Sequence, residues 1–189
     1  MLANRTAHVT VGVILAFAYV PIEFFIINEQ YPFTWIHWVT AILLAIVGSE
    51  GPDLDQLYSF MSHRDVVTHS ALYPGIIFGV CLWWRLTVNS ALISCFIPFL
   101  LAYGSHLFLD YFPRIQVKDM LNKGIRISEK RGTFLMHVPF VYKTKEGKER
   151  KTLNVKQTER WLMFNAFLCV VMAVFLAVTR FIFDVSTIT

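Results

Sequence analysis

The chain has 189 residues, of which 56% are hydrophobic and 16% charged, with a formal net charge of +4. A soluble domain carries roughly 25% charged residues, so this balance excludes an ordinary water-soluble enzyme and fits a protein embedded in a bilayer. The length suits one compact unit, and Cys81, Cys95 and Cys169 all lie in apolar runs, as small buried hydrophobes rather than as a disulfide framework.

A helix needs roughly 20 apolar residues to cross the hydrocarbon layer, and five segments are candidates. The first, residues 8–27, follows Arg5 and contains Ala16-Phe17-Ala18, which imitates a signal-peptide cleavage site. Its apolar run continues to Ile27, so a retained helix is expected. The second, residues 33–48, opens with Trp35 and Trp38 as interfacial aromatics. The third and fourth are residues 71–88 and 91–112, and the fifth is residues 161–183. Pro21, Pro74 and Pro98 fall within or near these spans, where membrane helices tolerate them. Between the fourth and fifth lies a polar stretch. In it residues 133–142 are strand-like, Glu146-Gly147 offers a turn and residues 152–155 can return. The expected fold is an all-α membrane protein: a bundle of about five transmembrane helices with a small basic cytoplasmic extension that holds a β-hairpin. Its parts are a four-helix membrane core over residues 1–112, a basic loop over 113–160 and a fifth transmembrane helix over 161–189.

Residues 114–160 hold 13 of the 17 Lys and Arg residues. Such an excess marks a cytoplasmic loop. Alternation then places residues 50–70 and the N-terminus in the cytoplasm as well. Arg85 and Arg180 fall near outer ends, where they are expected to snorkel.

With that topology, seven metal-ligating side chains collect at one membrane face. They are His8, Asp53 and Asp55 of Gly51-Pro52-Asp53-Leu54-Asp55, His63 and His69 of the segment His63 to Ser70, and His106 with Asp110. The last two are four residues apart, on one face of a helix about 6 Å apart along its axis. Ionisable groups at that depth are costly and face the bundle interior with partners. Imidazole and carboxylate together suit a divalent cation such as zinc or manganese, and seven candidates leave room for one ion or two. Each residue alone has a plainer reading: Asp53 or Asp55 as a turn residue or helix cap, His63 as a solvated histidine, His69 as a cap. Their joint placement is what favours a metal site. His37 and His137 read as interfacial and structural, Glu23 takes no role, and the remaining Tyr and Trp residues read as belt residues.

These motifs resemble those of the YdjM-type inner-membrane proteins, described as membrane-bound metal-dependent hydrolases. The family pattern is an early His, then Pro-Asp-x-Asp, then His-Arg-Gly-x-x-Thr-His-Ser, then Ser-His-x-x-x-Asp. It stands here as His8, Pro52 to Asp55, His63 to Ser70 and Ser105 to Asp110, over roughly residues 8–112. Gln56 stands where the family often has His, and Asp65 where it has Gly. The family is distantly similar to zinc-dependent phospholipase C enzymes, so the resemblance implies phosphoester chemistry. The expected activity is hydrolysis of a phosphoester, such as a lipid head group, at the cytoplasmic face. Arg64 would hold a phosphate oxygen and Asp65 would stand beside it as a catalytic residue. Membrane lipid is the expected partner and nucleic acid is not. The rival readings are a non-enzymatic metal-binding membrane protein and a small transporter or assembly subunit. A transporter would place its ionisable groups nearer mid-membrane.

Overall fold

The computed structural model describes residues 2–26, 34–57, 65–88, 91–111, 135–143, 147 and 149–186. Helix α1 runs Leu2–Ile26 and α2 runs Trp35–Glu50. His37 has a capping role at the start of α2, because its Nδ1 accepts the Thr34 backbone N–H at 3.0 Å. Helix α2 continues into a 3-10 turn, Gly51–Leu57, and α3 follows as Leu72–Val88. The next apolar run is broken into α4, Ala91–Ser94, and α5, Phe96–Tyr111. Pro98 explains the break at Cys95. In an unbroken helix its ring would strike the Ser94 carbonyl, whereas in the first turn of a restarted helix its missing N–H is no loss.

Strands β1 (His137–Lys143) and β2 (Glu149–Thr152) pair antiparallel, with Gly147 at φ 76° in their connection. The hairpin expected from the sequence is present, but Val155 opens a helix rather than closing a strand. That helix, α6, runs Val155–Ser186 and therefore starts well before Trp161. A reciprocal cap sets its start. Asn154 Oδ1 accepts the Gln157 N–H at 2.9 Å, and Gln157 Oε1 accepts the Asn154 N–H at 3.0 Å.

Among the described residues, three stretches are long and apolar enough to cross a membrane: Thr6–Glu23, Leu92–Tyr111 and Val155–Thr179. Helices α2 and α3 have 16 and 17 residues, roughly 24–26 Å of helix against a hydrocarbon layer of about 30 Å. Helix α5 is the centre of the bundle. Helices α1 and α2 pack on one side of it and α6 on the other, while α3 lies against α6 and the edge of α5. Among the described residues α3 touches neither α1 nor α2, and α4 bridges α2, α3 and α6.

Without a hydrophobic drive between helices in lipid, close packing needs small residues. Ala16, Ala45 and Ala102 meet where α1, α2 and α5 cross. A β-carbon on Gly48 would lie 2.4 Å from the Phe99 carbonyl oxygen, so α2 and α5 touch backbone to backbone there. Gly104 gives α6 a similar approach, with Cys169 Cβ 3.0 Å from where its own β-carbon would be. Large apolar side chains point outward instead, among them Leu43, Val47, Ile76, Val80, Phe164 and Phe167. Arg85 corrects the expectation of snorkelling. Its side chain is buried, and its guanidinium donates to Ser94 Oγ at 3.3 Å, within the bundle. Glu23 is also buried and accepts the Tyr19 hydroxyl.

Candidate metal centre

The tight crossing of α1, α2 and α5 sets the site. It aligns His8 on α1 with the last turn of α2 and with His106 on α5. The imidazoles of His8 and His106 stack with centroids 3.8 Å apart and an interplanar angle of 17°. Asp110 lies one turn beyond His106 on the same helix face. Its Oδ1 is 3.3 Å from His8 Nε2, and its Oδ2 is 3.3 Å from His69 Nε2 and 3.6 Å from His106 Nε2. His8, His69, His106 and Asp110 are all buried. Asp53, in the 3-10 turn and half-buried, adds a carboxylate: one oxygen of Asp53 and nitrogens of His69 and His106 lie within 4.8 Å of one another.

His69 sits in a tight turn before α3, and this turn is held from within and from three other elements. Its Nδ1 lies 3.2 Å from the Asp65 carbonyl oxygen, and the Asp65 carboxylate accepts the Val67 N–H at 2.9 Å. From β1, the His137 carbonyl accepts the Val66 N–H at 2.9 Å. From α5, the Tyr103 hydroxyl donates to the Thr68 carbonyl. From α6, the Trp161 indole N–H donates to the His69 carbonyl at 2.9 Å, and Asn165 Oδ1 accepts the Ala71 N–H at 2.8 Å.

These partners set the tautomers. The Nδ1 of His106 lies against the Ser49 carbonyl oxygen and that of His69 against Asp65 O. A carbonyl only accepts, so each Nδ1 carries the proton and each Nε2 a lone pair. Both Nε2 atoms then face Asp110 Oδ2, an acceptor against acceptors. His106 Nε2, Asp110 Oδ2 and His8 Nδ1 are buried and make no hydrogen bond among the described residues. Buried polar atoms left in this state are costly. A proton on one imidazole would relieve one contact and leave the others opposed. A divalent cation relieves all of them together, and the donor set of imidazoles and carboxylates is one that zinc or manganese accepts. The Asp110 spacings of 3.3–3.6 Å fit as well, because ligand atoms at about 2.0–2.2 Å from one ion lie within about 4.4 Å of each other. Backbone carbonyls behind two of the histidines are the usual means of orienting metal-bound imidazoles.

Of the residues singled out in the sequence, His8, Asp53, His69, His106 and Asp110 come together. Asp65 lies beside them, in the turn that orients His69. Asp55 belongs to the 3-10 turn, but its side chain lies outside the described set, as do His63 and Arg64 altogether. Ser49 and Asn165 are not singled out in the sequence, and Tyr103 and Trp161 read there only as belt residues. Ser49 acts through a backbone carbonyl, which no motif records. Asn165 did carry a signal, as an amide within the apolar run of the last helix.

A helical bundle with three stretches long and apolar enough to cross a bilayer, and with three imidazoles and a carboxylate buried at one end, is a membrane protein whose residues could hold a cation. The chain belongs to the YdjM inner membrane protein family, whose description matches residues 3–183. No curated protein and no solved structure gives a significant match.

Proposed function

We propose that this protein is a metal-dependent hydrolase of phosphoesters, such as a lipid head group, acting at the cytoplasmic face of the inner membrane. The observation that carries the reading is the convergence of unprotonated imidazole nitrogens on the Asp110 carboxylate. His8, His69, His106, Asp110 and Asp53 would hold the ion. One ion is favoured over two, because both candidate ligand groups contain His106 and its Nδ1 already serves Ser49. A divalent cation there supplies Lewis acidity toward a phosphoryl oxygen and makes a water molecule more acidic. Asp53 is the least buried of the five and is assigned to accept a proton from water. Arg64 is assigned to a phosphate oxygen, and Asp65 to orienting His69 through its carbonyl.

Five spans with a cytoplasmic N-terminus complete the proposal, supported by the Lys and Arg excess in residues 114–160. The near-complete burial of His69 and His106 favours a second reading, a non-enzymatic metal scaffold. Turnover separates the two. Full-length protein loaded with zinc or manganese is expected to hydrolyse a phosphodiester or a phospholipid. A chelator and His69→Ala should each reduce the rate to background, and added metal should restore it for the wild type only. Metal-loaded protein with no turnover on any phosphoester would leave the scaffold reading.

A further inference from the structure

Helix α6 carries a second feature that the metal centre does not use. Lys156, Arg160, Phe164, Phe167, Val171, Val174 and Val178 follow one another at spacings of three and four, on one exposed stripe. From Arg160 to Val178 the stripe rises about 27 Å, close to the hydrocarbon thickness of about 30 Å. Its two cations therefore stand at the edge of the apolar layer, where lipid phosphates lie. Lys151, exposed in β2, is a third cation four residues before Val155 in the sequence. Glu159, half-buried on the adjoining face, is the one acidic residue in α6 near this end.

We propose that this stripe is a docking face for an anionic phospholipid, with its head group against Lys156 and Arg160 and an acyl chain along Phe164, Phe167 and Val171. Charge complementarity selects the head group, and continuity with the lipid-facing apolar stripe selects a lipid over a soluble acidic partner. The docked lipid is a neighbour of the metal centre and not its occupant. Trp161, the next residue after Arg160, directs its indole N–H to the His69 carbonyl on the bundle side. The proposal does not depend on hydrolysis, and it stands if the protein binds metal without turnover.

The test is the relative association of spin-labelled phosphatidylglycerol and phosphatidylcholine with the full chain, reconstituted in vesicles of both lipids. At low salt the wild type is expected to prefer phosphatidylglycerol by at least about fivefold, the contribution of one juxtamembrane cation. The preference should fall as salt screens it. Lys156→Gln with Arg160→Gln should remove it, while Lys156→Arg with Arg160→Lys should keep it and so separate charge from folding. Lys118→Gln with Lys123→Gln removes the same charge elsewhere in the chain and should leave the preference in place. No preference in the wild type would overturn the proposal and leave the face to an acidic protein. An unchanged preference in the Gln pair, or an equal loss in both pairs, would overturn it too.

Discussion

Replacing Asp110 by Asn is expected to abolish metal binding while leaving the metal-free protein at least as stable as the wild type. The two effects move apart for one reason. The Asp110 carboxylate faces the Nε2 atoms of His8, His69 and His106 at 3.3–3.6 Å, and without a cation most of these contacts oppose like with like. An amide of the same shape brings a donor to the imidazole lone pairs and removes a buried negative charge, so the empty site relaxes. It also removes the carboxylate that lies 3.3–3.6 Å from all three imidazoles. Losing an outer residue of a metal site typically costs 10–100-fold in affinity, so losing this inner one should cost at least about 100-fold. Metal titration and thermal denaturation of the same preparations check both halves. An Asp110→Asn protein that binds metal as tightly as the wild type would remove Asp110 from the site.

The second large effect lies in the packing that brings the site together. Gly48→Ala is expected to lower stability by about 1–3 kcal/mol, the usual range for overpacking, and to weaken metal binding with it. Alanine is the better helix former by about 1 kcal/mol, so propensity alone predicts a gain. The geometry decides the sign. The new β-carbon would lie 2.4 Å from the Phe99 carbonyl oxygen, and a backbone atom in the first turn of α5 cannot rotate away as a side-chain tip can. Helix α2 must shift, and it carries the Ser49 carbonyl that fixes His106. Gly79→Ala is the control, since nothing lies within 4 Å of its added carbon; it should be neutral or slightly stabilising. Equal denaturation temperatures for Gly48→Ala and the wild type would contradict this account of the α2–α5 contact.

Much of this arrangement is legible in the sequence, and the reasons differ by residue. The apolar runs located α2, α3 and the α4–α5 pair to within a few residues and the bodies of α1 and α6, because a helix in lipid has to be apolar along its length; α1 itself starts at Leu2, six residues before the expected His8. The spacing of His106 and Asp110 places them on one helix face, and His8, Asp53 and His69 from the other motifs join them. The start of α6 was read too late. Its early turns are polar, and the signal there is the Asn154 and Gln157 cap rather than hydropathy. Arg85 was misplaced because a cation near a helix end usually reaches for water, whereas here Ser94 receives it inside the bundle. The supports of His69 and His106 were invisible for a deeper reason. The Ser49, Asp65 and His137 carbonyls exist at every position of any sequence, and only the fold chooses which of them are used. Trp161 was read as a belt residue because its hydrogen bond to His69 O crosses 92 positions of sequence.

The central claim is that these buried imidazoles and carboxylates are a metal site. Elemental analysis of the full chain, purified from membranes without chelator, tests it most directly, with His106→Ala measured alongside. Alanine is readily accommodated in a helical span, so the variant is expected to insert and to accumulate normally. The account predicts one zinc or manganese ion per wild-type chain and a content near background in the variant. A wild-type protein with no bound metal after zinc and manganese supplementation, or a variant with as much metal as the wild type, would contradict it.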